Sequence, residues 1–277
     1  VTLHRRTLLA LGLTLAAGRS IAATATDAAP PASDVSAWAR YEARLWARDQ
    51  DSGGGRFDAA GAREAFATTN RVRTSGNAPP LAWSDEMALA ARAHAGDLAH
   101  RAYFDHLSPE GFDPSHRFWL LARATIGSPS ENITYQRSAS TTGEAMVMRW
   151  KSSPGHWRNL LRADHTHGAC AMLRQGDRAW LVALYARPLA RLDTPLGFRA
   201  DSAAVSAAVA RLPPDVMARV RPPQGARRSP SDEGPRMLQI SGVRRGPQGT
   251  ELIGGPIFVS ETPELATRSG WGRLTAP

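Results

Sequence analysis

The chain has one cysteine, Cys170, and one lysine, Lys151, among 277 residues. A single thiol cannot form an intramolecular disulfide, so packing has to hold the fold together. With lysine almost absent, arginine carries the formal charge of +9. Such a charge favours anionic partners in general. The arginines are scattered, with no basic run and no interleaved aromatics. That pattern argues against a nucleic-acid partner. The sequence also lacks an internal repeat and a G-x-S-x-G nucleophile elbow. Past the first residues, no apolar run reaches the length of a membrane-spanning helix. Cys170 lies in the alternating run Gly168 to Leu173, which reads as a strand, so a small buried apolar role is expected for it rather than a nucleophilic one.

What is present begins with an export signature. His4-Arg5-Arg6 precede the apolar stretch Leu8 to Ala17, and Ala23-Thr24-Ala25 offers a small-residue cleavage site. Residues 1–25 therefore read as a secretory signal peptide with a twin-arginine-like start. An exported protein is expected, periplasmic or extracellular, soluble and monomeric once the leader is removed. Export in the folded state would agree with the single cysteine.

Residues 26–61 read as an Ala/Pro-rich linker followed by an N-terminal helix, Val35 to Arg48, with Trp38, Tyr41 and Leu45 near helical spacing. Ala62 to Val72 is a second helical run. Ser84 is a strong N-cap, and Asp85 and Glu86 suit the first turn of a helix reaching Arg101. Asp113-Pro114 opens another helix. Further helices are expected over Thr142 to Lys151 and from His156 to Arg162. Gly168 to Leu173 and Ala179 to Arg187 read as a hairpin. Helices followed by a hairpin imply an α+β layer architecture. Past Pro188 the chain is basic and proline-punctuated. Most of Arg219 to Arg236 is expected to be irregular, with short strands at Met237 to Val243 and Glu251 to Ser260.

The central segment, residues 62–188, resembles the CAP (SCP-like) superfamily of cysteine-rich secretory and pathogenesis-related proteins, in its disulfide-free bacterial branch. The matching pieces stand in the family's order: Asn70-Arg71, Pro80-Leu81-Ala82-Trp83, Ala90 to Leu98, Phe104-Asp105-His106, Glu131-Asn132-Ile133, Trp150, Ser153-Pro154-Gly155-His156, and the closing hairpin after Gly168. The resemblance implies a three-layer α-β-α sandwich with a cleft carrying two histidines and two acids. On the matching motifs the histidines are His106 and His156, and one acid is Glu131. The second acid is missing: where many eukaryotic members carry Glu, three residues after the helix tryptophan, this chain has Ser153. Glu110 and Glu144 are possible substitutes that match no motif. Residues 189–277 lie outside the resemblance.

Two imidazoles and a carboxylate can bind a divalent cation such as zinc, with His106 and His156 as ligands. They can exchange protons with a substrate, or form a polar network at a cleft mouth. The resemblance favours a module binding a small amphipathic or cell-envelope ligand. The alternative is a metal-assisted or Ser/His hydrolase of envelope peptides or esters, with Ser108, Ser130 and Ser153 beside the matched motifs. His94, on the apolar stripe of a helix, reads as a satisfied core residue. His100 and His116 read as exposed, and the His165/His167 pair as a polar entry to a strand. Trp150 and Trp157 read as core.

Overall fold

The computed structural model describes residues 29–227, 235–246 and 249–260. The leader expected at 1–25 lies outside them. The chain runs through β1 (Ala29–Pro31), α1 (Val35–Gln50), β2 (Arg56–Phe57), α2 (Ala59–Ser75), β3 (Ala82–Trp83), α3 (Asp85–Arg101) and α4 (Pro114–Leu121). It continues with β4 (Thr125–Ile126), β5 (Ser130–Arg137), α5 (Gly143–Met148), a single 3-10 turn (Arg149–Ser152), α6 (Pro154–Leu160), β6 (His167–Gln175) and β7 (Arg178–Ala186). Then follow β8 (Ala190–Arg191), β9 (Arg199–Ala200), α7 (Ser202–Val209), β10 (Met217–Arg221), β11 (Ala226–Arg227), β12 (Met237–Gly246) and β13 (Gly249–Ser260).

The central sheet has the order β2-β6-β7-β5, with β3 pairing alongside β6. Successive side chains of a strand point to opposite faces, and the apolar residues of the β6–β7 hairpin divide accordingly. Ala169, Ala171 and Leu173, with Trp180, Val182 and Leu184, join Trp38 and Leu45 of α1, Met87 and Leu98 of α3, and Phe118 of α4. Cys170 and Met172, with Leu181, Ala183 and Tyr185, join Ala65 of α2, Met146 of α5, and Leu160 of α6. Two cores on two faces of one sheet make the α-β-α sandwich, an α+β fold. Helix α1 crosses α3 closely because residue 96 is glycine: a Cβ there would lie 2.6 Å from Arg48 O.

Strand β5 was not evident in the sequence. Its segment Ser130–Arg137 buries polar residues, Asn132 and Thr134, on one side and a carboxylate, Glu131, on the other. An apolar alternation is therefore absent, although the strand pairs with β7 from Ser130↔Tyr185 to Arg137↔Arg178.

A second, four-stranded sheet, β10-β12-β13-β9, follows the sandwich. It shares with α7 a core of Val205, Val220, Ile240, Ile253 and Phe258. The runs expected as strands around Met237 and Glu251 are β12 and β13. Strand β10 runs through Arg221, into the start of the segment expected to be mostly irregular, because Ala218 and Val220 alternate inward and pair against Gly242 and Ile240. Residues 228–234 lie outside the described residues.

This sheet is fastened to α4. Arg123 donates to Leu196 O at 2.6 Å, Gly197 O at 2.6 Å and Ile257 O at 2.7 Å. Gly254 carries no Cβ where the Trp119 indole lies against it. His116, expected to be exposed, is 2 % exposed. Its ring packs among Trp38, Phe112 and Trp119, and its Nε2 lies 2.7 Å from Gln224 O. The second sheet's neighbourhood buries a helix face that would otherwise be open to water, which the local sequence could not reveal.

Candidate functional site

Helix α4 and strand β5 organise the site. Asp113 caps α4 in a reciprocal box with His116, which fixes the helix start and places Arg117 one residue further on. Arg117 is 1 % exposed. Its Nη2 donates to Glu131 Oε1 at 3.2 Å and Oε2 at 3.0 Å, and to His106 O at 2.8 Å. Its Nη1 donates to Phe112 O at 3.2 Å. One buried guanidinium therefore holds the carboxylate of β5 and the loop carrying His106. Ser108 tightens that loop by accepting from the Phe112 and Glu110 amides at 3.1 and 3.3 Å. It is fully buried in that task.

His106 Nδ1 lies 2.8 Å from Glu131 Oε1. The Glu131 side chain is 2 % exposed, whereas that of His106 is 44 % exposed. A carboxylate fixed by Arg117 acts as acceptor, so Nδ1 carries the proton and Nε2 is the ring nitrogen left to meet a ligand. Burial alone would raise the Glu131 pKa. The Arg117 charge, then His94 and His106, override it and hold the carboxyl at about 2. Burial lowers the Arg117 pKa, but its ionised partner Glu131 drives it above its ordinary value.

His156 enters from the start of α6. Its ring centroid is 6.1 Å from that of His106 and 6.4 Å from that of Trp150. Its Nδ1 lies 2.8 Å from Ser153 Oγ. The segment is fastened to β5: Asn132 donates to His156 O at 2.9 Å, and Asn159 donates to Asn132 Oδ1 at 2.9 Å. Burial, then the neighbouring His106, lowers the His156 pKa, so the ring is neutral at neutral pH. The structure thus brings His106, Glu131 and His156 into one place. Glu131 bonds His106, and His156 faces His106 across a gap.

The substitutes for the missing acid are engaged elsewhere. Glu110 pairs with Arg44 at 2.5 Å and Arg101 at 2.8 Å. Glu144 pairs with Arg71 at 3.0 Å. Among the described residues, no group of three His, Cys, Asp or Glu side chains is arranged to hold a metal ion. The Glu131 carboxylate is committed to Arg117 and His106, which leaves the His106 and His156 rings as the polar groups that face outward.

Sequence reasoning missed Arg117 and undervalued His94. Arginine at position 117, four residues after a helix cap, gives no sign of burial in the sequence. His94 is fully buried, as expected of a core residue. Its Nε2 lies 3.2 Å from Asp105 O and 3.7 Å from Glu131 Oε1, so it also forms the floor of the site. Burial, then the Arg117 charge, lowers its pKa to about 3 and keeps it neutral. His165 turns inward against Tyr185, with its Nε2 3.3 Å from Ser130 Oγ, while His167 is paired in β6. The two do not form a ligand pair.

Other matched motif residues are structural. Asn70 binds both the N–H and the C=O of Leu81, at 2.8 and 3.0 Å. Trp150 is 2 % exposed and donates to Ile133 O at 3.1 Å. Trp157 packs, partly buried, against the Cys170 core.

An α-β-α sandwich with a His/Glu cluster between α4, β5 and α6 defines a protein with a polar site at one edge of its sheet. The sequence profile of the cysteine-rich secretory protein (CAP) family matches residues 66–185, and this part of the chain is a CAP/SCP-superfamily domain of bacterial type. The protein YkwD of Bacillus subtilis is 31% identical over 112 residues, which is 39% of this chain and 41% of that protein. The chain thus spans about two-fifths of the length of that curated relative. Among solved structures, an extracellular SCP-domain protein of Bacillus anthracis is similar at 27% identity and a TM-score of 0.39, over 46% of this chain and 40% of that one. An outer surface protein of Borrelia burgdorferi is similar at 17% identity and a TM-score of 0.43, over 48% of this chain and 98% of that one.

Proposed function

We propose that this is an exported binding protein whose CAP domain takes a small amphipathic or cell-envelope ligand at the His106/His156 cleft. The observation that carries this reading is a pair of partly exposed, neighbouring imidazoles, one of them backed by a carboxylate that Arg117 keeps buried and ionised. A polar head meets His106 Nε2 and His156; Glu131 holds the His106 ring from behind, and Asn132 holds the His156 backbone. An apolar surface adjoins them. Phe104, 50% exposed, lies two residues before His106, and its ring centroid is 6.2 Å from Tyr135, on the same face of β5 as Glu131. Polar groups beside exposed aromatics are the general make-up of a site for a small amphipathic molecule. The leader signature at 1–25 supports export.

The test is native mass spectrometry of the full chain after exposure to bacterial envelope lipid extract. We expect a retained small molecule that is lost in the His106→Ala/His156→Ala double variant. Equal retention by the variant would refute the assignment of the cleft.

A divalent cation such as zinc is a second reading, favoured by one observation. The Glu131–His106 Nδ1 contact is the kind of support that orients a metal-ligating histidine. With only His106 and His156 as protein ligands, zinc would bind weakly. Calorimetric titration with zinc alone, on wild type and the double variant, checks this: heat that is the same in both would rule it out.

A further inference from the structure

Ser153 starts a helix that it does not cap. At the other described α-helices the N-cap side chain (Asp34, Asp58, Ser84, Asp113, Thr142, Asp201) accepts a hydrogen bond from the first-turn backbone. Ser153 makes no such bond. Its hydroxyl is turned to the imidazole of His156 instead, with Oγ 2.8 Å from Nδ1. A capping hydrogen bond stabilises a helix start, so the hydroxyl forgoes a stabilising role to meet the His156 ring.

The surroundings match what a nucleophile requires. A base must lie within hydrogen-bond reach of the hydroxyl, and further groups must hold the base. His156 is held through its carbonyl by Asn132 at 2.9 Å, and its ring lies beside those of His106 and Trp150. His106 is in turn backed by Glu131 at 2.8 Å. Access is open: Ser153 is partly exposed, and a Cβ built at Gly155 would meet nothing within 4 Å. The other serines beside matched motifs lack this setting. Ser108 is buried under backbone amides. Ser130 faces His165, whose pKa is lowered to about 4 by burial and then by Arg162, leaving a weak base.

We propose that Ser153 is a nucleophile and His156 its general base, acting on carboxylic esters bound in the His106/His156 cleft; this rests on that cleft being the ligand site. Ser153 Oγ forms a bond to the acyl carbon as its proton passes to His156 Nδ1. The bond from the acyl carbon to the alkoxy oxygen breaks, and the alcohol leaves with that proton. Water then attacks the acyl-serine and gives a proton to Nδ1. The acid departs as Ser153 Oγ takes the proton back. His106, oriented by Glu131, lies beside the ring that becomes positive.

The experiment uses the full chain and a fluorophosphonate probe, with the adduct mapped by peptide mass spectrometry and turnover followed with p-nitrophenyl butyrate. We expect an adduct on Ser153 that is absent from heat-denatured protein and from Ser153→Ala, and roughly hundredfold slower labelling in His156→Ala, the usual share of a general base. An unlabelled Ser153 in native wild type overturns the proposal without recourse to any variant. Labelling that is undiminished in a folded His156→Ala overturns it equally. Retention of envelope lipid by Ser153→Ala separates the two ideas: if lipid is retained while Ser153 is never labelled, the nucleophile falls and the binding cleft stands.

Discussion

Arg117 and Glu131 form a buried, two-pronged ion pair: one guanidinium nitrogen reaches both carboxylate oxygens, at 3.2 and 3.0 Å, with both side chains almost wholly out of water. Breaking one side of such a pair strands a charge, whereas replacing both sides by apolar groups does not. Arg117→Met and Glu131→Leu are therefore each expected to destabilise the fold by about 3–5 kcal/mol. The double variant should lose clearly less than the sum of the two. Urea unfolding of the four proteins gives the cycle, and additive losses would show that the pair is not coupled.

Acid should weaken the fold in a defined window. His94 is lowered from 6.5 to about 3 and His165 from 6.5 to about 4, in both cases by burial first and neighbouring arginine charge second. Glu131 is lowered from 4.5 to about 2 because Arg117 outweighs its burial. Below 6.5 the unfolded chain takes up protons at both histidines that the folded chain refuses, and below 4.5 it also does so at Glu131. Stability is thus fully present above pH 6.5 and falls steadily as pH drops. Urea midpoints between pH 7.5 and 3 should trace this slope, and His94→Gln should flatten its upper part. A midpoint that holds level from pH 7 to 4 would contradict it.

The second sheet is expected to be inseparable from the sandwich. Truncation after Pro188 removes three carbonyl partners of Arg123, those of Leu196, Gly197 and Ile257, and the residues packed on Trp119 and His116. The shortened chain should bind a hydrophobic dye and lose sharp thermal unfolding. Gly254→Val is a gentler check. It drives a side chain against the Trp119 indole and should cost about 1–3 kcal/mol.

Cys170 is 2 % exposed, and burial pushes its thiol up to about 12. It should react with iodoacetamide only when the chain opens, at the same rate at which native protein unfolds under denaturant. Fast alkylation of folded protein would place the β6 face closer to solvent than the structure does.

The regions legible in the sequence are those where one face is apolar and caps are ordinary. Ser84 caps α3, Asp113 caps α4, and the β6–β7 hairpin alternates cleanly. The site was legible only through motif order, since His106, Glu131 and His156 are far apart along the chain. Arg117 and the depth of His116 were not legible, because both depend on tertiary partners: a carboxylate on β5 for one, the Gln224 carbonyl for the other. Strand β5 was hidden for a related reason, three of its four buried residues being polar ones such as Asn132, which Asn159 satisfies.

Strand β1 pairs with β11, and Arg227 reaches back to the Ala29 carbonyl across 198 positions. On a ribosome, the earliest described strand emerges long before its mate exists. It must wait, unpaired, while the chain across those 198 positions is made. The order of synthesis therefore sets a floor on when this protein can finish folding, and a pause in translation before β11 leaves Ala29–Pro31 without its pairing strand.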